Sequence, residues 1–177
     1  MILQQLKDKL GDCKFADKSL CENKSSYHII NEKEFFIFDA EDIQPVRIVH
    51  GGDYQLTVNN SSTSAIFLVK TDRCLINEEG QKKCDCVLFN DRKTYFVEIK
   101  GSSTGTRKDK RNKAIQQLGN TIDYFETKGV VLNKDETTAI ICFKNYSRIA
   151  GAANDTKFGD FAKKYQIILE EKYNIDF

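Results

Sequence analysis

The chain has no run approaching the ~18 apolar residues that a bilayer-spanning helix requires, which disfavours membrane insertion. Its opening, Met1 to Leu10, also lacks a long apolar stretch behind a basic start, which disfavours export. Both absences lead us to expect a cytoplasmic protein that makes no use of a membrane. Net charge is nearly missing too. Twenty-seven Lys and Arg against 26 Asp and Glu leave a formal +1, so only local clusters can indicate a polyanionic partner. Histidine is scarce: His28 and His50 stand far apart, and no His-Glu-x-x-His occurs. A phosphate-binding Gly-x-x-x-x-Gly-Lys-Ser/Thr loop and a Gly-x-Ser-x-Gly elbow are absent as well, so zinc-protease, ATPase and esterase readings lack support. Neither an internal repeat nor a low-complexity tract is present, which sets aside solenoids and linkers.

What is there suits a folded protein. With 177 residues, 40% apolar and 30% charged, the chain has the size and composition to bury one core, and we expect a single domain over 1–177. Its six cysteines, at 13, 21, 74, 84, 86 and 142, read as reduced, mostly buried thiols. Cys84 and Cys86 share a strand face in this reading, and a zinc site shared with Cys74 is the less favoured alternative to packing, because a structural site needs four converging ligands.

Periodicity organises the chain. Ile2, Leu3, Leu6 and Leu10 fall at helical intervals, with Gly11 as the stop. Residues 1–60 then form a strand-rich elaboration, with β-rich runs at Phe35–Phe38, Val46–Val49 and Tyr54–Val58 separated by Pro45, Gly51 and Gly52. Asn59 to Ser64 reads as a loop. Ala65–Ile76, Lys83–Phe89 and Thr94–Lys100 are three strands with turns at Asn77–Gly80 and Asn90–Lys93, a three-stranded antiparallel meander. A helix follows with Ile115, Leu118, Ile122 and Phe125 on one face and Gly129 as its stop, then a strand over Thr138–Lys144. The last segment, 146–177, is expected to be a helix carrying Phe161, Tyr165, Ile168 and Leu169 at helical spacing through Tyr173. The sum is an α/β fold: a mixed central sheet flanked by helices.

Chemistry concentrates on the third strand of the meander. Alternation puts Glu98 and Lys100 on one face and Val97 and Ile99 on the other. Burying such a carboxylate and ammonium costs several kcal/mol unless they are paired or hold an ion. The turn near Asn90 folds the preceding strand back so that Asp85 comes level with Glu98. Two close carboxylates repel, and a hard divalent cation with oxygen ligands, Mg²⁺ or Mn²⁺, relieves that repulsion. Such an ion activates water and withdraws charge from a phosphodiester, while Lys100 steadies the attacking hydroxide or the developing charge. The plainer alternative is a solvated cross-strand face.

Cys84-Asp85, twelve residues, then Glu98-Ile99-Lys100 resembles the PD-(D/E)xK nuclease signature, over about residues 65 to 145. The resemblance implies a restriction-endonuclease-like core within 61–145, with Asp85, Glu98, Lys100 and Gln117 as catalytic residues. It also implies a metal held by Asp85, Glu98 and the backbone carbonyl of Ile99. The segment Lys113 to Leu118 is similar to the family's helix that carries an active-site Gln, and helical spacing independently turns Gln117 and Tyr124 toward the Glu98 strand and Gln116 outward. Cys84 stands where the family has proline. The leading helix of relatives often adds another acid; here Glu22, Glu34, Glu41 and Asp53 are unranked candidates.

Arg107, Lys108, Lys110, Arg111 and Lys113, with only Asp109 among them, form a cationic loop suited to phosphates, against the plainer reading of a solvated loop. The expected partner is nucleic acid, DNA ahead of RNA; dimerisation is common among relatives, and a homodimer or a larger complex is the expected assembly. The rival expectations are a catalytically silent module of the same fold, in a defence or mobile-element system, and a protein-interaction component.

Overall fold

Residues 2–14, 21, 24–40, 44–62, 64–76, 80–101, 106–144 and 156–177 are described by the computed structural model. Helix α1 spans Ile2–Leu10 and buries Leu6 and Leu10. Gly11 ends it at φ 77, its N–H donating to Lys7 O, a conformation that costs a residue with a Cβ far more.

Four strands precede the motif region: β1 (Tyr27–Ile30), β2 (Glu34–Phe38), β3 (Arg47–Val49) and β4 (Leu56–Asn59). The meander follows as β5 (Ile66–Lys70), β6 (Cys86–Phe89) and β7 (Thr94–Lys100). Helix α2 (Arg107–Thr127) crosses to β8 (Thr137–Phe143), and α3 (Thr156–Tyr165) leads to β9 (Ile168–Glu171) and β10 (Asn174–Asp176). One sheet has six strands in the order β1-β5-β6-β7-β8-β9, and a second has four in the order β10-β4-β2-β3. The β5-β6-β7 pairings are antiparallel, whereas β8 lies parallel to β7 and β9 parallel to β8. This is an α/β architecture with mixed sheets.

Alternation of side chains across the strands splits the apolar residues between two cores. On one face of the larger sheet, Val87, Phe89, Phe96 and Ile141 pack with Leu6, Leu118, Ile122, Phe125 and Phe161 of the helices. On the other, Leu68, Leu88, Val97, Ile99 and Ile140 meet Phe35, Ile37, Leu56 and Val58 of the smaller sheet. The described residues therefore stack as helices, six-stranded sheet and four-stranded sheet. Strands β2, β3 and β4 of the N-terminal region, together with β10, build the third layer, whereas β1 edges the six-stranded sheet beside β5.

Three expectations need correction. The run Ala65–Ile76 is not one strand, because β5 stops at Lys70 and the chain turns back, with Leu75 N donating to Lys70 O and Ile76 N to Thr71 O. The cationic stretch is not a loop: Arg107 to Lys113 form the first turns of α2, capped by the Thr106 side chain accepting from Asp109 N. The C-terminal segment is not helical through Tyr173. Helix α3 ends at Tyr165, Gln166 takes φ 58, and Ile168 and Leu169 enter β9, where register with Thr138 and Ala139 offers a full ladder of hydrogen bonds. The expected turn at 77–79, Ser102–Gly105 and the stretch 145–155 lie outside the described residues.

Candidate active site

Strand β7 supplies the centre of the site because its register with β8 places Glu98 opposite Ile141 and Lys100 opposite Phe143, on the helix-facing side. Val97 and Ile99 point the other way, into the core between the sheets. Asp85 is not within a regular strand. It occupies a bend just before β6, where its N–H donates to Val97 O at 3.1 Å and its carbonyl accepts from Thr71 N at the same distance. Its side chain turns toward β7, and Oδ2 accepts from Ile99 N at 2.6 Å.

Lys100 Nζ lies 2.5 Å from Glu98 Oε1 and donates to Gln117 Oε1 at 2.8 Å. Gln117 in turn donates through Nε2 to Lys83 O at 2.9 Å, so α2 is tied both to the end of β7 and to the segment leading into Asp85. Gln116 faces outward and accepts from Lys82. Tyr124 does not reach the site; it lines a surface hollow with Gln81, Asn120 and Asp123.

A cleft of about 160 Å³ opens here, lined by Asp85, Glu98, Ile99, Lys100 and Gln117 and by Asp39 and Asp72. Neither of the last two is legible as a site residue in the sequence. Asp39 directly follows β2 and hangs from the smaller sheet, its N–H donating to Gln55 Oε1; only sheet-on-sheet packing brings it over the cleft. Asp72 belongs to the turn after β5 and sits 3.5 Å from Arg73 Nε, with its own N–H 3.4 Å from Asp85 O. The earlier acidic candidates are elsewhere. Glu34 is exposed at the start of β2, Asp53 pairs with Lys144 on the surface, and Glu22 and Glu41 lie outside the described residues.

Electrostatics mark the cleft. Glu98 is 1% exposed, and burial, opposed by Lys100 and reinforced by repulsion from Asp72 and Asp39, pushes its carboxyl up to about 8. Its Oε2 is buried with no hydrogen-bond partner. Asp85 is raised well above the ordinary carboxylate range, first by burial and then by Glu98 and Asp39, against the pull of Ile99 N–H and Lys100. Burial also raises Asp72, with Arg73 and Lys83 opposing. Three carboxyl groups that resist ionisation thus share one opening with Asp39, and an orphaned oxygen faces low dielectric, the condition that a hard cation with oxygen ligands relieves.

The cations at the start of α2 divide. Arg111 does not stand ready for a phosphate: its guanidinium engages the fully buried Glu171 of β9, with Nη2 to Oε2 at 3.2 Å. Arg107 lies over the Phe143 ring at 4.5 Å, and Lys110 donates to Gly101 O at 2.8 Å. Lys108 and Lys113 are exposed. The cysteines also sort differently from expectation. Cys84 packs in the helix-side core and Cys86 between the sheets, because the bend at Asp85 breaks the alternation, and neither joins Cys74. No family model, curated protein or solved structure matches the chain. Among the described residues, no helix is long and apolar enough to cross a membrane.

Proposed function

We propose that the chain is a metal-dependent nuclease hydrolysing phosphodiester bonds, DNA ahead of RNA, built on a restriction-endonuclease-like core formed by β5 to β8 and α2. The observation that carries this reading is the buried, unpartnered Oε2 of Glu98, opening on a cleft shared with Asp85, Asp72 and Asp39 beside an ammonium. These residues suit Mg²⁺ or Mn²⁺: all the acidic donors are hard oxygens, and an ion would discharge a repulsion that the folded chain otherwise relieves by protonation. Asp85, Glu98 and the Ile99 carbonyl would hold it, with Asp72 or Asp39 adding the acid that the sequence left unassigned. When bound, the ion lowers the proton affinity of water and draws charge from the phosphoryl oxygens.

The rest of the chemistry belongs to the side chains. Lys100 supplies a fixed positive charge at the mouth of the cleft for the attacking hydroxide and the developing phosphorane. Gln117 holds that ammonium in place, and Ile99 N–H fixes the Asp85 carboxylate. Lys108 and Lys113, exposed on α2, would contact phosphates further along the substrate.

Cleavage of single- and double-stranded DNA and RNA with Mg²⁺ or Mn²⁺ tests the proposal. Wild type should cut, while Asp85→Asn and Lys100→Ala should lose at least about 100-fold, in line with removal of groups that stabilise the transition state. Equal activity in all three proteins refutes it. The second reading is a catalytically silent nucleic-acid-binding module. It draws support from Asp85 Oδ2 being engaged by Ile99 N–H, and from Cys13/Cys21/Cys74 being the only group of three or more potential ligand atoms within 4.8 Å of one another among the described residues. Calorimetric titration separates the two: the enzyme binds Mn²⁺ at a site abolished by Glu98→Ala, and the module does not.

A further inference from the structure

Three cysteines far apart in sequence meet beside the end of β5. Cys13 follows α1, Cys21 precedes β1, and Cys74 sits in the turn after β5. Their sulfurs form a triangle with sides of 2.8 Å (Cys74 to Cys13), 3.1 Å (Cys21 to Cys74) and 3.5 Å (Cys13 to Cys21). All three are free thiols and buried, with Cys74 fully so. Among the described residues, no other buried hydrophobic side chain joins their cluster.

We propose that Cys13, Cys21 and Cys74 form a binding site for a thiophilic divalent ion, Zn²⁺. The triangle itself supports this over a disulfide, because a disulfide uses two sulfurs about 2.05 Å apart. Here each sulfur lies within 3.5 Å of both others, and a bridge between any two would strand the third thiol. A tetrahedral zinc with Zn–S near 2.3 Å spaces its sulfurs about 3.8 Å apart, so the triangle needs to open by only a few tenths of an ångström to about 1 Å. Three thiolates and Zn²⁺ carry a net charge of −1, and the buried Lys70 ammonium, 3.6 Å from Cys21 Sγ, offsets it. Ser26 Oγ, 3.4 Å from Cys74 Sγ, or a water takes the fourth position. Binding releases the three thiol protons, so zinc is held more weakly as pH falls.

Location gives the ion a task. Cys74 lies two residues after Asp72 in the turn that lines the acidic cleft, and Lys14 N donates to Cys74 O at 2.6 Å. Zinc would clamp the segment after α1 to the turn that carries Asp72, without taking part in the chemistry proposed for the cleft.

The protein purified without added metal or chelator should contain about one equivalent of zinc by mass spectrometry. Replacing it with Co²⁺ should give an intense sulfur-to-cobalt charge-transfer absorption. Cys21→Ser and Cys74→Ser should lose the bound metal and that absorption, whereas Cys142→Ser, altering a buried thiol between the sheets, should keep both. Should the serine variants fail to fold, the wild-type cobalt spectrum alone decides. Six reactive thiols with no retained zinc and no charge-transfer band overturn the proposal, as does a disulfide between any two of the three. Loss of nuclease activity with the zinc site intact would sink the cleft assignment and leave this one standing.

Discussion

Gln117 on α2 accepts a hydrogen bond from Lys100 at 2.8 Å while donating to the Lys83 carbonyl at 2.9 Å, which makes one amide the brace between the ammonium of the site and the approach to Asp85. Gln117→Ala removes the brace and leaves every acidic residue in place. We expect kcat to fall about 10- to 100-fold, the usual cost of losing a group that orients a reacting residue, with KM for a nucleic-acid substrate nearly unchanged. A matched loss in KM, or a loss of thermal stability large enough to explain the effect, would remove Gln117 from the positioning role.

The raised carboxyl of Glu98 predicts an unusual pH profile. Between about 4.5, its ordinary value, and about 8, the folded chain binds more protons at this residue than the unfolded chain does. Its contribution to stability is fully present below that window and is lost as pH rises through it. The melting temperature measured in chelator should therefore decline from pH 5 to pH 8 and recover on addition of millimolar Mn²⁺. Glu98→Gln should flatten the decline and abolish the recovery. A melting temperature insensitive to Mn²⁺ at pH 8 would argue against an ion in the cleft.

Arg111 separates structural cations from contact cations. Its partner Glu171 is fully buried, so Arg111→Ala strands a carboxylate and should destabilise by about 3–5 kcal/mol, whereas Arg111→Met with Glu171→Leu should restore most of the loss. Lys108→Ala and Lys113→Ala should leave stability unchanged, weaken nucleic-acid binding and each reduce the salt slope of log K by about 0.9. Urea unfolding and binding across a salt series measure both. An unchanged slope would place the nucleic acid elsewhere.

Helix α2 also carries a tight crossing. A Cβ added at Gly119 would meet Tyr165 Oη at 2.5 Å, so Gly119→Ala trades a helix-propensity gain for overpacking against α3 and should cost about 1–2 kcal/mol net. Gly119→Ala with Tyr165→Phe, which removes the clashing oxygen, should melt closer to wild type. If Gly119→Ala proves stabilising, the close approach of α2 and α3 is not rigid.

Much of the fold was legible because it rests on local alternation. The bounds of α1 and β7, the meander and β8 follow from periods of 3.6 and 2 and from turn residues such as Asn90, whose Oδ1 accepts from Arg92 N and Lys93 N. The same alternation placed Glu98 and Lys100 together, and helical spacing selected Gln117 over Gln116. What could not be read depends on long-range packing. Ile168 and Leu169 suit a helix face by spacing, yet pairing with β8 wins because the edge of a parallel sheet offers unsatisfied backbone groups. Asp39 reaches the cleft only because a separate sheet lies across the first, and no spacing within β2 signals that. The cysteine triangle joins positions 13, 21 and 74 through tertiary contact alone.

Strands β9 and β10, a few residues apart, join different sheets: β9 extends the six-stranded one beside β8, and β10 edges the four-stranded one beside β4. During synthesis the six-stranded sheet therefore lacks its last strand until residue 171 has emerged, and the four-stranded sheet lacks one edge until residue 176 has. An unfinished chain would already hold the residues that pack the two layers together, but it would bare the backbone edges of β8 and β4 that β9 and β10 later cover, the kind of edge on which strands of other chains pair.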